Sequence, residues 1–135
     1  MKSERTKSGW LTRLTEYLHS LHPRPWHGAI LCDLSGMTRT ITYEDDGSSI
    51  KVSVPWSDVV SVSAFKRDIY TYDLICIALE TAEGCLEVNE EMEGWGAMVD
   101  ALPEHLPGTP DNTEWWEKVA LPPFVTNWTT LFTRA

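Results

Sequence analysis

Six glutamates lie within residues 80–93, and their carboxyl groups are the first candidates for acid–base chemistry. General acid catalysis requires a carboxyl group whose pKa is raised by burial, and the paired carboxylates of glycosidases lie about 5–10 Å apart. We expect this stretch to form a turn and the first turn of a helix, where carboxylates are solvated. The sequence therefore favours an acidic surface for a basic protein partner over a catalytic pair. The glutamates assigned to that surface are Glu83, Glu87, Glu90, Glu91 and Glu93.

Three histidines and one cysteine near the start of the chain are of the types that bind zinc, and they follow the spacing H-x₂-H-x₄-H-x₄-C. Pro23 and Pro25 divide them between a predicted helix end and a loop, and the spacing matches no established zinc pattern. We therefore expect no metal site, and metal analysis of the purified protein would decide the question. The four residues are His19, His22, His27 and Cys32.

Motifs of nucleophilic and nucleotide-dependent enzymes are missing from the sequence, which contains no G-x-S-x-G, G-x-x-x-x-G-K-[ST] or G-x-G-x-x-G. Cys32, Cys76 and Cys85 have no histidine neighbour in a recognised motif, and three cysteines cannot all pair within one chain. We expect reduced cysteines, with Cys76 buried in an apolar run. The sequence thus predicts no catalytic residue and no cofactor.

Seven tryptophans are the second chemical feature, because this residue type is enriched at binding hot spots. Trp56 and Trp95 lie within apolar patterns, and we expect both in the core with the indole N–H bonded. Trp115 and Trp116 are adjacent on a predicted helix, so they cannot both point inward. One of this pair is therefore a candidate for a contact surface, either with a partner or in a homo-oligomer.

Charge is divided unevenly along the chain, whose net charge is −9. Residues 1–24 carry +3, whereas residues 25–135 hold 6 basic and 18 acidic residues, a net charge of −12. Such a body repels phosphates, which excludes a nucleic-acid reader. Lipid headgroups are excluded as well, because Asp68 is expected to counter Lys66 and Arg67.

The elements that must position these residues begin with an amphipathic helix over Thr6–Leu21, capped by Ser8 and ended at His22-Pro23. The chain shows no signal-peptide apolar region and no apolar run that would span a bilayer. We therefore expect a cytoplasmic protein that does not act in a membrane.

After this helix the apolar residues follow a pattern typical of β-strands, which is interrupted by turn residues such as Asp45-Asp46-Gly47-Ser48. Leu74–Leu79 is apolar at every position, which predicts a strand buried on both faces and covered by a helix on one of them. Short connections between the strands indicate an antiparallel meander. The predicted strands are Ala29–Leu34, Met37–Glu44, Ser49–Val54, Val59–Phe65, Tyr70–Thr81 and Cys85–Val88.

A second helix is predicted from Asn89, its N-cap, because Met92, Trp95, Val99 and Leu102 recur at helical spacing and three glutamates fall in the first turn. Pro103 and the Pro107-Gly108 pair should limit this helix. Gly94 and Gly96, on either side of Trp95, predict a close approach of helix to sheet. The remainder predicts a short helix over Thr113–Val119 and an extended C-terminal arm.

The order of elements and several motifs resemble a family of small uncharacterised bacterial proteins with a pleckstrin-homology-like fold. The resemblance covers residues 40–132, and the tail is one residue shorter before Asn127 than the loosest form of that family's pattern. The motifs, in chain order, are Val54-Pro55-Trp56-Ser57-Asp58, Ala64-Phe65-Lys66-Arg67-Asp68, Tyr72-Asp73-Leu74-Ile75, Asn89-Glu90-Glu91-Met92-Glu93-Gly94-Trp95, Leu106-Pro107-Gly108 and Pro123-Phe124-Val125-Thr126-Asn127. The resemblance implies no catalytic residues, and some such proteins look like immunity partners of polymorphic toxins.

We therefore predict an α+β protein whose antiparallel meander forms a pleckstrin-homology-like barrel or sandwich with a capping helix. Residues 1–24 form the N-terminal helix, 25–108 the main domain and 109–135 a Trp- and Pro-containing arm packed on it. The expected function is non-catalytic protein binding, with a basic toxin as the most specific partner. The alternatives are a small enzyme that uses the carboxylates or the His/Cys set, and a structural subunit that dimerises.

Overall fold

The computed structural model describes residues 24–69, 72–123 and 125–135, so the predicted N-terminal helix lies outside the described residues. Seven strands and two helices make up the described part of the chain. They are β1 (Trp26–Cys32), β2 (Gly36–Tyr43), β3 (Ser49–Pro55), a 3₁₀ turn (Trp56–Asp58), β4 (Ser61–Ile69), β5 (Tyr72–Thr81), β6 (Gly84–Asn89), α1 (Trp95–His105), α2 (Asn112–Ala120) and β7 (Thr129–Thr133).

The strands form two antiparallel sheets, one ordered β1-β2-β3 and the other β6-β5-β4-β7. The meander is therefore confirmed, and the fold is α+β. Between the described strands, no pairing joins one sheet to the other, so the barrel does not close. The turn at 45–48 that connects β2 to β3 is also confirmed, since Asp46 Oδ1 accepts from the backbone N–H of Ser48 at 2.9 Å.

One apolar core lies between the two sheets and both helices, with Met37, Trp56 and Val62 among its buried residues. β5 contributes Ile75, Ile77 and Leu79 to this core. Its alternate residues, Leu74, Cys76 and Ala78, join Phe65 in a second buried cluster. Because successive side chains of a strand point to opposite faces, the prediction that β5 is buried on both faces is confirmed.

The α1 helix begins at Trp95, so the predicted start at Asn89 is wrong. The glutamates of residues 90–93 resemble the acidic first turn of a helix, but this stretch is bonded to both sheets instead. Pro103 lies inside the helix rather than at its end. The helix continues past Pro103 because Leu106, which follows its last turn, is buried and donates its N–H to Leu102 O at 2.8 Å.

The C-terminal stretch is attached to the core through α2 and β7. The predicted helix over Thr113–Val119 is confirmed, and Asp111 caps it by accepting from the N–H of Thr113. The arm is only partly irregular, because β7 pairs antiparallel with β4 and forms an edge of the larger sheet. The division of the chain at residues 24 and 108 stays a prediction.

Lys66 holds the connection that follows α2, a role the sequence did not indicate. Its side chain is buried, and Nζ donates to Ala120 O at 2.7 Å and to Pro122 O at 2.6 Å. Asp73 Oδ2 lies 3.2 Å from the same Nζ. The expectation that Asp68 counters Lys66 is therefore wrong, because the side chain of Lys66 is directed toward α2 and Asp73.

Candidate functional site

Glu90–Glu93, here called the acidic segment, joins β6 to α1 and carries three of the predicted partner-binding glutamates. Its first residue continues the pairing of β6 with β5. Glu90 donates its N–H to Ile75 O at 3.0 Å, and Glu90 Oε2 accepts the N–H of Ile75 at 2.9 Å. The side chain thus takes the place of a backbone acceptor, which fixes the start of the segment to the larger sheet.

Glu91 is exposed and lies against Tyr72 at the start of β5. Tyr72 Oη donates to Glu91 Oε2 at 2.8 Å, and this hydrogen bond is the main cause of a raised tyrosine pKa. Asn89 Oδ1 accepts the N–H of Glu91 at 3.0 Å, so Asn89 turns the chain out of β6 rather than capping a helix. These two bonds hold the Glu91 carboxylate at the surface.

The end of the acidic segment is bonded to β1 in the smaller sheet. Ile30 donates its N–H to Glu93 O at 2.7 Å, and Glu93 donates its N–H to Gly28 O at 3.0 Å. Gly94 follows at φ +91°, and a Cβ there would lie 2.2 Å from Ile30 O. The predicted close approach is therefore confirmed at Gly94 but wrong at Gly96, whose Cβ position has no atom within 4 Å.

Glu83 and Glu87 lie on the β5–β6 hairpin in different surroundings. Glu83 is exposed in the turn. Glu87 forms a two-pronged ion pair with Arg67, in which both N–O distances are 2.7 Å, and its side chain is only 18% exposed. Arg67 is thus matched by Glu87, a partner that the sequence did not indicate. The charge of Glu87 is already compensated within the chain.

Trp115 and Trp116 differ as their adjacency on a helix predicts. Trp115 is 2% exposed and belongs to the main core, whereas Trp116 is 45% exposed. The α2 helix that carries them packs against β4 and β7, at the edge of the larger sheet opposite β6. The structure therefore does not bring Trp116 together with the acidic segment. Trp56 is buried and donates its indole N–H to Asp33 O at 2.8 Å, as expected, and Trp95 packs partly buried against the core.

Positive charge in the described part of the chain is largely committed to internal contacts. Residues 24–135 hold seven basic and 18 acidic residues. Five of the seven bond to carboxylates or to backbone carbonyls within the chain. These five are Arg24 with Asp45, Arg39 with Glu87 O, Lys66 with Asp73, Arg67 with Glu87, and Arg134 with Trp56 O and Val59 O.

Lys51 and Lys118 are the two basic residues that remain, and both are exposed. Most of the carboxylates, by contrast, are exposed and outnumber the available cations. Exposed carboxylates therefore outnumber exposed basic side chains on the surface of the described residues.

The histidine and cysteine set is only partly within the described residues, because His19 and His22 lie outside them. His27 and Cys32 occupy opposite faces of β1, five residues and about 16 Å apart along the strand, so one ion cannot bind both. In the ranges that the structure describes, no group of three or more His, Cys, Asp or Glu side chains has metal-binding geometry.

The cysteines are free thiols, as far as the described residues show. Burial, and secondarily the charge of Asp33, raises the pKa of Cys32 to about 11. Burial also raises the pKa of Cys76 well above its ordinary value. Since the thiolate is the nucleophile, neither cysteine is activated for covalent chemistry.

No helix in the described ranges is long and apolar enough to cross a membrane.

Sequence reasoning missed Tyr72 as a member of this site. The usable signal was the tight turn at Ala82-Glu83, which sets Thr81 opposite Gly84 and Cys76 opposite Asn89. The same register, continued to the start of β5, brings Tyr72 beside the residues that follow β6. The contacts of Glu93 with β1 carried no comparable signal, because they join segments more than 60 residues apart.

Comparison with known proteins yields one partial similarity. No protein-family model matches the chain, and no solved structure matches it. Over 111 residues the chain is 28% identical to NADPH-dependent diflavin oxidoreductase 1 of Aspergillus fumigatus. The match covers 80% of this chain and 15% of that protein, so the chain spans about a seventh of the relative's length. These comparisons do not assign the chain to a family.

Proposed function

We propose that the protein is a non-catalytic protein-binding domain of the immunity type, which neutralises a basic toxin through its acidic segment. One observation carries the proposal. The structure holds a run of exposed glutamates between the two sheets, while most basic residues of the described part of the chain bond to groups within the chain. A basic partner would meet a surface with few competing positive charges. Such complementarity speeds encounter and selects against acidic partners.

The anchoring of the acidic segment supports this function. Glu90 is bonded to β5 and Glu93 to β1, so the backbone between them is ordered before a partner arrives. Ordering a side chain on binding costs about 0.5–1.5 kcal/mol, and ordering a loop costs more. A segment already held in place avoids the second cost, which favours binding.

The carboxylates of this region are held by donors within the chain. Glu87 is paired with Arg67, Glu90 accepts from a backbone N–H, and Glu91 accepts from Tyr72. These contacts hold the carboxylates in fixed positions, which supports a role as a binding surface.

The finer fold assignment belongs to the same proposal. Two antiparallel sheets followed by a helix after β6 support a pleckstrin-homology-like arrangement, and the Trp56-Ser57-Asp58 motif forms the turn between the sheets. Free cysteines support a reducing, cytoplasmic location. The exposed Trp116 leaves a homo-oligomer as the second candidate, and sizing chromatography of Trp116→Ala tests it.

The test uses affinity capture from native cells with tagged wild-type protein and one variant of the acidic segment. That variant combines Glu90→Gln, Glu91→Gln and Glu93→Gln; each glutamine keeps an oxygen acceptor, so the bond from Ile75 N is preserved. We expect wild type to recover a stoichiometric basic protein at low salt and to lose it at high salt. We expect the variant to recover about tenfold less of this partner than wild type does.

A matched control removes the same charge elsewhere. It combines Glu104→Gln, Glu114→Gln and Glu117→Gln on α1 and α2, where all three glutamates are exposed. We expect this control to retain most of the binding. Recovery of no stoichiometric basic partner, or binding that is indifferent to salt, contradicts the proposal.

A further inference from the structure

A groove of about 450 Å³ lies between the start of β1, the end of β4 and the start of β5, beside the acidic segment. Its walls include the exposed rings of Trp26 and Tyr72, which are 37% and 43% accessible. Ile69, Leu74 and Met92 form the apolar part of the lining, and Asn89 and Glu91 the polar part on one side. Two aromatic rings, an apolar lining and a carboxylate therefore line one groove.

The positive groups at this groove are already matched. Arg24, at its edge, donates to Asp45 at 2.7 and 3.0 Å and lies 3.4 Å from Asp46. His27 Nδ1 lies 3.7 Å from Glu44. The carboxylates around the groove, those of Glu44, Asp45, Asp46 and Glu91, outnumber Arg24 and His27. The Glu91 carboxylate has acceptor capacity beyond its bond from Tyr72.

We infer that this groove binds one arginine side chain of the basic partner. A guanidinium group is planar, stacks on aromatic faces and donates in a fork that fits a carboxylate. Trp26 and Tyr72 supply the aromatic faces, and Glu91 supplies the carboxylate. The methylene stem of the arginine has the apolar residues of the lining to pack against. This inference rests on the proposed function and names the group that the acidic surface recognises.

The test is an NMR titration of ¹⁵N-labelled full-length protein with N-acetyl-arginine methylamide. The citrulline analogue serves as the matched probe, because it has the same shape and no charge. We expect the arginine probe to shift the indole signal of Trp26 and the amides around Tyr72 and Glu91. We expect the citrulline probe to bind at least about fivefold more weakly. Equal shifts from both probes overturn the inference.

Two single variants locate the binding. Trp26→Ala should weaken arginine binding about three- to thirtyfold. Glu91→Gln leaves the packing intact and should also weaken it, whereas Glu117→Gln on α2 removes the same charge and should not. If Glu91→Gln and Glu117→Gln weaken binding equally, only the general negative field acts and the groove is not the site.

The outcome separates this inference from the proposed function. If the acidic-segment variant loses the captured partner while Trp26→Ala and Glu91→Gln bind the arginine probe as wild type does, the function stands and the groove assignment fails. If the probe binds as expected but no basic partner is recovered, the groove assignment stands and the function fails.

Discussion

Gly94→Ala tests the link between backbone geometry and the acidic segment. At φ +91°, an alanine costs about 1–2 kcal/mol in backbone strain. Its Cβ would lie 2.2 Å from Ile30 O, so β1 must move away from the segment. That movement weakens the bonds Ile30 N to Glu93 O and Glu93 N to Gly28 O, each with a net contribution of about 0.5–1.5 kcal/mol. We expect a loss of about 3 kcal/mol in the free energy of unfolding.

Gly96→Ala is the matched control, two residues farther along the chain. Its Cβ position is open and lies within α1, so alanine should stabilise the protein by up to about 1 kcal/mol. Urea unfolding of both variants, followed by far-ultraviolet circular dichroism, measures the difference. If the two variants agree within about 0.5 kcal/mol, the close approach of Gly94 to β1 does not contribute as described.

Three further predictions concern the core, the thiols and the acid range. Lys66→Met should lower the free energy of unfolding by about 3–5 kcal/mol, because it removes the buried ammonium group that bonds to Ala120 O and Pro122 O and lies beside Asp73. Exposed Lys51→Met should change it by less than about 0.5 kcal/mol, and equal effects of the two variants in urea unfolding contradict this. The pKa of Cys32 is raised from 9.0 to about 11, so at about pH 8 the folded protein should contain about a hundredfold less Cys32 thiolate than the protein unfolded in urea. Iodoacetamide labelling of Cys32, measured by peptide mass spectrometry, should therefore be correspondingly slower in the folded protein. Equal labelling rates in the two states contradict this prediction. Hydrogen bonds from Ser35 and Thr113 lower the pKa values of Asp33 and Asp111 below the unfolded value, so the stability they provide is complete above that value and is lost as pH falls through the folded pKa. The free energy of unfolding should thus fall as pH decreases below the unfolded pKa, less steeply in Asp111→Ala, and an unchanged slope in that variant contradicts the assignment.

Local signals predicted much of the fold. The turn at Asp45–Ser48 sets its hairpin through side-chain and glycine chemistry that is encoded within four residues. The unbroken apolar run Leu74–Leu79 identifies a strand with two buried faces. Both features depend on neighbours in sequence, which is why they could be predicted.

The start of α1 was predicted wrongly because two kinds of interaction compete for the same residues. Glutamates favour a helix N-terminus, yet Glu90 and Glu93 gain hydrogen bonds to two separate sheets instead. Those bonds depend on how the two sheets pack together, and a local sequence pattern does not encode that packing. Gly94 signalled the contact correctly, whereas Gly96 has no packing role in the described residues.

The candidate site was predicted in composition but not in arrangement. The pattern identified the glutamates, and adjacency separated Trp115 from Trp116. The sequence pattern did not show that Arg67 would compensate the charge of Glu87, nor that Lys66 would be buried against the end of α2. Each of these contacts joins residues about 20 to 54 positions apart. Their pairing follows from strand register and helix docking rather than from spacing.

The most direct test of the central claim compares two baits of equal net charge in one capture experiment. One bait lacks the charges of Glu90, Glu91 and Glu93, and the other lacks those of Glu104, Glu114 and Glu117. If the acidic segment is the binding surface, the basic partner should be about tenfold depleted on the first bait and retained on the second. Equal recovery of that partner on the two baits would contradict the claim.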